Sequence, residues 1–346
     1  MANIVLKVLA FCLLLDICLF YGVMVALRTL WTIIRHPVRS FKIKPRNTPP
    51  ACLDDNSLGS HAYLRTKTLK LHYVSNGDRS KPLMLFLHGF PEFWYSWRHQ
   101  LRAFADDYRV VALDMRGYGD SDKPKGIGAY ALDNLTSDVR DAIPALGHSS
   151  CVLVAHDWGG AVAWRFAHDY PDLVDKLIIM NSPHLKRFEE VISTSMKQFK
   201  KSWYMFFFQL PYLPEFICRM ADYAWIKAAF CKPPMGVRSE GAMTDDDIEA
   251  FKYNFQQEGV ATATINYYRA AMRYPPAREP KHPVITSPTL LIWGEEDQAL
   301  CIELTEGMDK YVQDVTVKRV PDASHWVQQD KPQEVNQIMR EFLKGN

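Results

Sequence analysis

Apolar positions along this chain follow three regimes. From Val8 to Leu27, twenty residues run with Asp16 as the single charge; at helical rise that length covers about 30 Å, the thickness of a bilayer's hydrocarbon core. From His61 to about residue 185, and again from about residue 281 to the end, short apolar runs alternate with helical patterns. Tyr63 to Val74 reads as a hairpin, and Leu83 to Leu87, Val110 to Leu113, Cys151 to Val154, Leu177 to Met180, Thr289 to Trp293 and Thr316 to Val320 read as strands. Helical stretches such as Leu135 to Leu146 separate them, which predicts an α/β domain with a mostly parallel sheet covered by helices on both faces. Between 186 and 280 the alternation stops and the sequence turns aromatic and helical, as in Trp203-Tyr204-Met205-Phe206-Phe207-Phe208. That segment reads as an inserted cap.

The predicted organisation is therefore an N-terminal transmembrane helix with its basic flank over 1–45, a tether rich in proline over 46–60, an α/β core over 61–185 and 281–346, and a helical cap over 186–280. The apolar run is longer than the core of a cleaved signal peptide and lacks a small-x-small cleavage site, so it reads as a signal-anchor that stays in place. Asp16 would cost the span a few kcal/mol. Only Lys7 precedes the run, whereas Arg28, Arg35, Arg39, Lys42, Lys44 and Arg46 follow it, and this asymmetry predicts a body on the cytosolic side. The sequon Asn134-Leu135-Thr136 bears only on a lumenal body. Asp133, just before it, reads as a helix N-cap, and Thr244-Asp245-Asp246-Asp247 as a capping box at a solvated helix start.

Composition narrows the function classes. At 346 residues and 48% hydrophobic content the chain supports a large core. A net charge of +2 and the lack of a basic stripe argue against nucleic acid as partner. The seven cysteines are scattered and free of C-x-x-C spacing, which predicts unpaired thiols and gives no sign of a metal site.

The chemistry concentrates in Ala155-His156-Asp157-Trp158-Gly159-Gly160, between the strand at Cys151 to Val154 and a helical stretch. Strand, tight turn flanked by small residues, and helix make a nucleophile elbow. Its tip is Asp157, not serine. A carboxylate there points to displacement at saturated carbon, because it attacks without first losing a proton and leaves an ester on the enzyme. Asp297, just past the strand at Thr289 to Trp293, and His325, in the loop after the last strand, follow in the chain order nucleophile, acid, histidine. Glu295 and Glu296 are the alternatives for the acid. His88-Gly89-Phe90-Pro91 follows another strand, and the backbone N–H groups of Phe90 and Trp158 are the candidate oxyanion donors. Pro91 is a candidate for a cis peptide bond there. Asp114 to Ser121 reads as a structural turn.

These strings, namely His88-Gly89-Phe90-Pro91-Glu92, Arg116-Gly117-Tyr118-Gly119, His156-Asp157-Trp158-Gly159-Gly160 and Ser324-His325-Trp326, resemble the α/β-hydrolase-fold epoxide hydrolases over nearly all of residues 60–344. The apolar N-terminus and Pro49-Pro50-Ala51-Cys52-Leu53 resemble the membrane-anchored animal branch of that family. Ala155, where many relatives have glycine, is a small-for-small departure. The resemblance implies two cap tyrosines that hold and protonate the epoxide oxygen, and motif similarity puts them at Tyr204 and Tyr268. It further implies conversion of apolar epoxides, lipid epoxides among them, to vicinal diols, no metal or organic cofactor, and a single-pass protein of the endoplasmic reticulum membrane. The rivals are a haloalkane-type dehalogenase, which shares the Asp nucleophile, and a catalytically silent, membrane-tethered protein on the same scaffold.

Overall fold

Eight strands form one sheet in the computed structural model, which describes residues 2–345. They are β1 (Ser60–Arg65), β2 (Lys70–Asn76), β3 (Leu83–Leu87), β4 (Arg109–Leu113), β5 (Cys151–His156), β6 (Val174–Met180), β7 (Thr289–Gly294) and β8 (Val315–Val320). The order across the sheet is β1-β2-β4-β3-β5-β6-β7-β8. β1 and β2 form the expected hairpin, and β2 also runs antiparallel to β4; every other pairing is parallel. β3, β4, β5 and β7 are buried at every residue. Continuous apolar strands of this kind need helices on both faces, since an alternating strand would leave one face wet. Edge strand β8 alternates half-buried and exposed residues from Val315 to Lys318.

The helices are α1 (Ala2–Arg35), α2 (Pro37–Phe41), α3 (Arg98–Ala103), α4 (Leu132–Ala145), α5 (Trp158–Asp169), α6 (Leu185–Thr194), α7 (Met196–Lys201), α8 (Trp203–Phe207), α9 (Leu213–Cys231), α10 (Asp245–Gln256), α11 (Val260–Arg273), α12 (Val327–Asp330) and α13 (Pro332–Lys344). Helices α6 to α11 fill the chain between β6 and β7 and meet the loops at the strand ends. Asn254 on α10 accepts the Gly119 N–H at 2.9 Å, and Tyr267 on α11 donates to the Arg116 carbonyl at 2.8 Å. The Asp114–Ser121 turn thus fastens the hairpin and these helices to the sheet, with Asp114 also accepting from His72 Nδ1 and the Trp94 N–H, each at 2.8 Å.

Cys12–Arg35 within α1 has a mean hydropathy of 1.9 and is 11% buried, long and apolar enough to cross a membrane. The side chains of Lys7 and Val8, at the head of the predicted span, lie outside the described residues. Past α2 the chain is tied down. Arg46 forks onto Asp222 with both bonds at 2.7 Å and reaches Glu249 at 3.1 Å. Asp222 sits in a break of α9 where Ala221, Asp222 and Tyr223 all take positive φ, of 48°, 59° and 57°, a conformation that costs each non-glycine residue roughly 1 kcal/mol.

Two local expectations change on inspection. Asp133 does not cap α4: Ala131 precedes that helix, and the Asp133 carboxylate instead accepts the Ala277 N–H at 3.0 Å. The capping box at Thr244 forms, with Asp247 Oδ2 accepting the Thr244 N–H at 2.8 Å. Its acid is not solvated, however. Asp247 is buried, accepts from Tyr95 Oη at 2.9 Å and pairs with Arg98 at 3.2 Å, so it joins α10 to the core. All seven cysteines are free.

Candidate active site

Asp157 joins β5 to α5 with φ 48° and ψ −117°, the strained turn that lifts one side chain off the sheet. The surrounding glycines are there for space. A Cβ on Gly159 would strike the Leu87 carbonyl, and one on Gly89 would strike the Asp157 carboxyl itself. Close approach lets the Phe90 N–H donate to Asp157 Oδ1 at 2.8 Å. The Phe90–Pro91 bond is cis. Trp158, the other expected backbone donor, opens α5 directly after Asp157, and its ring packs 5.5 Å from Tyr267 and 5.0 Å from Tyr268.

His325 Nε2 stands 3.6 Å from Asp157 Oδ2, and its Nδ1 lies 2.7 Å from Asp297 Oδ2. Asp297 is fully enclosed by donors. Its Oδ1 accepts the Ala299 and Leu300 N–H groups at 2.7 and 2.8 Å, and its Oδ2 also accepts Asn181 Nδ2 at 2.7 Å. A carboxylate so saturated is stabilised as the anion. Glu295 and Glu296 are exposed and turn away, with Glu296 pairing to Arg238 at 3.4 Å.

Charge is strongly organised around these groups. Burial pushes the Asp157 carboxyl up, but His325, His156 and the Phe90 N–H together hold it below the usual carboxylate range. Asp297 is likewise held low against burial by His325 and Asn181. Burial pulls His325 down, yet Asp297 and Asp157 outweigh it and raise the imidazole to about 10. At neutral pH the resting arrangement is a carboxylate, an imidazolium and a second carboxylate in a row.

Tyr204 on α8 and Tyr268 on α11 face each other edge to face, ring centroids 5.7 Å apart. Burial, reinforced by the Asp157 charge, raises both phenols well above their ordinary range, so both are protonated donors at neutral pH. Phe90 packs 5.4 Å from Tyr268, 5.5 Å from Phe208 and 5.7 Å from Trp225, giving the site apolar aromatic walls. All seven residues expected from the sequence, Asp157, Asp297, His325, Tyr204, Tyr268, Phe90 and Trp158, lie in this one neighbourhood.

Sequence reasoning assigned no role to a second layer. Glu92 is completely buried and accepts four bonds, from the Gly89 N–H at 2.9 Å, His156 Nδ1 at 2.6 Å, and Gln328 and Gln329 Nε2 at 2.9 Å each. Burial would raise its carboxyl, but His156 and the Gly89 N–H hold it low. The other nitrogen of His156 points at the His325 carbonyl, 2.9 Å away. The His156 ring bridges the Glu92 carboxylate and the His325 carbonyl. Glu92 thus ties the turn holding Phe90 to the loop holding His325. Glu92 does stand next to His88-Gly89-Phe90-Pro91, and His156 next to Asp157, but adjacency alone does not reveal that they pair. Asn181, the residue just past β6, orients Asp297 and also accepts the Gly294 N–H at 2.9 Å; nothing in its local sequence marks it.

Comparison with known proteins extends this picture. A family model described as the alpha/beta hydrolase fold matches residues 82–332. The chain is 46% identical over 322 residues to epoxide hydrolase 4 of Homo sapiens, covering 92% of this chain and 88% of that protein. It is 43% identical over 314 residues to epoxide hydrolase 3 of Xenopus tropicalis, covering 90% and 85%. The crystal structure of Bacillus megaterium epoxide hydrolase in complex with an inhibitor superposes with a TM-score of 0.75 at 37% identity, covering 82% of this chain and 99% of that one.

Proposed function

Because this chain belongs to the epoxide hydrolases of the α/β-hydrolase fold and is a hydrolase acting on epoxides, we propose that it works through a covalent ester on Asp157, with Tyr204, Tyr268, Asp297 and His325 as its other catalytic residues. The observation that carries this reading is the ionised Asp157 on its strained elbow, 2.8 Å from the Phe90 N–H and 3.6 Å from His325, beside two protonated phenols.

In the first step Asp157 Oδ2 attacks a ring carbon and the carbon–oxygen bond of the epoxide breaks. The leaving oxygen takes a proton from the Tyr204 and Tyr268 pair, which supplies a donor without protonating the nucleophile. Esterification abolishes the charge on Asp157. His325 then loses one of the two anions that keep it protonated, gives its proton through solvent to the phenolate left by the first step, and becomes a base. It takes a proton from water as the water oxygen attacks the ester carbonyl, and the Phe90 and Trp158 N–H groups receive the oxyanion. On collapse the proton of the new hydroxyl passes to the departing alkoxide, which frees the vicinal diol, regenerates the carboxylate and leaves His325 an imidazolium as at rest. Phe90, Phe208 and Trp225 suit apolar epoxides, those of lipids included. A dehalogenase would have no use for the paired phenols.

The same reading divides the chain into anchor (1–45), tether (46–60), core (61–185 and 281–346) and cap (186–280), with α1 as a single-pass anchor in the endoplasmic reticulum membrane and the body on its cytosolic side. The basic residues after the span support that orientation. The bilayer is then its standing partner.

One turnover in heavy-oxygen water tests the mechanism. Acyl cleavage of the ester puts the label into the Asp157 carboxylate, while the first diol carries the oxygen that Asp157 originally held. A peptide spanning His156 to Trp158 that stays unlabelled while the diol gains the label would show that water attacks the epoxide directly, and would sink the ester route.

A further inference from the structure

Resting on the reading of α1 as a membrane span, we infer that the face of the α6–α11 segment beside α1 is itself immersed in the bilayer, so that the enzyme docks by this surface as well as by its anchor. Helix α1 does not stand clear of the body. Cys18 and Gly22 are buried, Tyr21 stacks 6.2 Å from Phe206 and lies 6.4 Å from Trp203, and a Cβ on Gly22 would strike Leu210. These contacts fall within Cys12–Arg35, the stretch apolar enough to cross a membrane. Tyr21 lies six residues before Leu27, where the uncharged run ends, a helical distance of about 9 Å. Whatever touches Tyr21 must therefore sit at about that depth, which is the depth reached by the apolar faces of interfacial helices.

The surface around this contact has the matching chemistry. Trp203 is 41% exposed, Tyr212 83%, Phe216 44% and Phe41 57%. They are contiguous with the anchor: Trp203 meets Tyr21, Phe41 lies 6.4 Å from Phe216, and Tyr212 follows closely on Leu210. Exposed aromatic rings in such a cluster are costly in water and favoured at the level of lipid headgroups. A cavity of about 770 Å³ opens beside them, its apolar side formed by Phe41, Tyr212 and Phe216 and its charged side by Arg219, Arg273 and Glu215, a pairing of apolar and charged walls that suits a bilayer lipid. Arg35, Arg39 and Lys42 flank it along the chain and suit anionic headgroups. Trp203 neighbours Tyr204, so α8 belongs to both the docked face and the reaction site.

Hydroxyl-radical footprinting of the full chain in phosphatidylcholine–phosphatidylserine vesicles tests this with internal controls. Tyr63 on the edge strand β1, 47% exposed, reports free surface; Met24 on α1, 54% exposed, reports the anchor. On a free surface Tyr212 is oxidised faster than Tyr63, because it is the more exposed ring. The docked face reverses that order, with Tyr212 protected roughly tenfold along with Met24. Met24 protected while Tyr212 still reacts faster than Tyr63 would overturn the docked face and leave the anchor standing. Met24 reacting like a water-exposed residue would overturn both.

Discussion

Replacing Asp157 by Asn should collapse the basicity of His325. The substitution removes the carboxylate charge at nearly constant volume, as esterification would in the proposed mechanism. In the resting protein the two groups are 3.6 Å apart, and both are largely screened from solvent, with side-chain exposures of 2% and 16%. A unit charge pair at that separation interacts by about 4–5 kcal/mol at an effective dielectric of 20, a factor of roughly a thousand or more in proton affinity. The sign follows from which form is favoured: the anion stabilises the imidazolium, so its loss lowers the imidazole from the value of about 10 that Asp157 and Asp297 together sustain. Histidine-labelled protein, titrated by NMR, reads this directly. His325 should remain charged up to strongly alkaline pH in the wild type and give up its proton about three pH units lower in Asp157→Asn. In the wild type, hydrolysis of the ester should fall away as pH drops through that lowered value, whereas ester formation should persist until Asp157 itself protonates, below the usual carboxylate range. If His325 titrates at the same pH in both proteins, the nucleophile does not control the base, and the switch from imidazolium to base has to be abandoned.

Three further outcomes separate the parts of the site. His325→Gln should still form the ester but not hydrolyse it, so intact mass should rise by one substrate; a substrate that the wild type consumes and that leaves no adduct would remove His325 from the second step. Tyr204→Phe and Tyr268→Phe should each slow ester formation by about 10–100-fold, with adduct hydrolysis unchanged in single-turnover measurements; an effect confined to hydrolysis would contradict their assignment to the leaving oxygen. Arg46→Met should cost about 2–3 kcal/mol in urea unfolding, less than a fully buried pair because Asp222 and Glu249 keep some solvent contact, and an unchanged midpoint would mean that the break in α9 holds without it.

The sheet was legible because burial on both faces writes itself into sequence as uninterrupted apolar runs. β3, β5, β6 and β7 were visible in this way, and so was the hairpin of β1 and β2, whose turn is local. Asp133 shows the limit. Its side chain is a good helix cap by type, but the Ala277 N–H from a distant loop takes the carboxylate, and only the tertiary fold decides that competition. Asp247 shows it again: the capping box was readable from spacing, while its burial against Tyr95 and Arg98 depends on where α10 lands.

Within the site, legibility tracks how far a residue's position depends on its own strand. Asp157, Asp297 and His325 each follow a strand end, and parallel strands deliver their C-terminal ends to one edge, so order along the chain was enough to expect them to meet. Tyr204 and Tyr268 have no such guarantee. They sit on separate helices in a segment full of aromatic rings, where Tyr267 next door is buried in the core and donates to the Arg116 carbonyl; which neighbouring phenol faces the nucleophile is a matter of helix rotation by about 100°. Family resemblance singled out Tyr268 where periodicity could not. Glu92 is harder still, because its four partners come from β5, from its own turn and from α12. Its role as a joint between the Phe90 turn and the His325 loop exists only once those segments have converged, so no pattern confined to one stretch of sequence could have carried it.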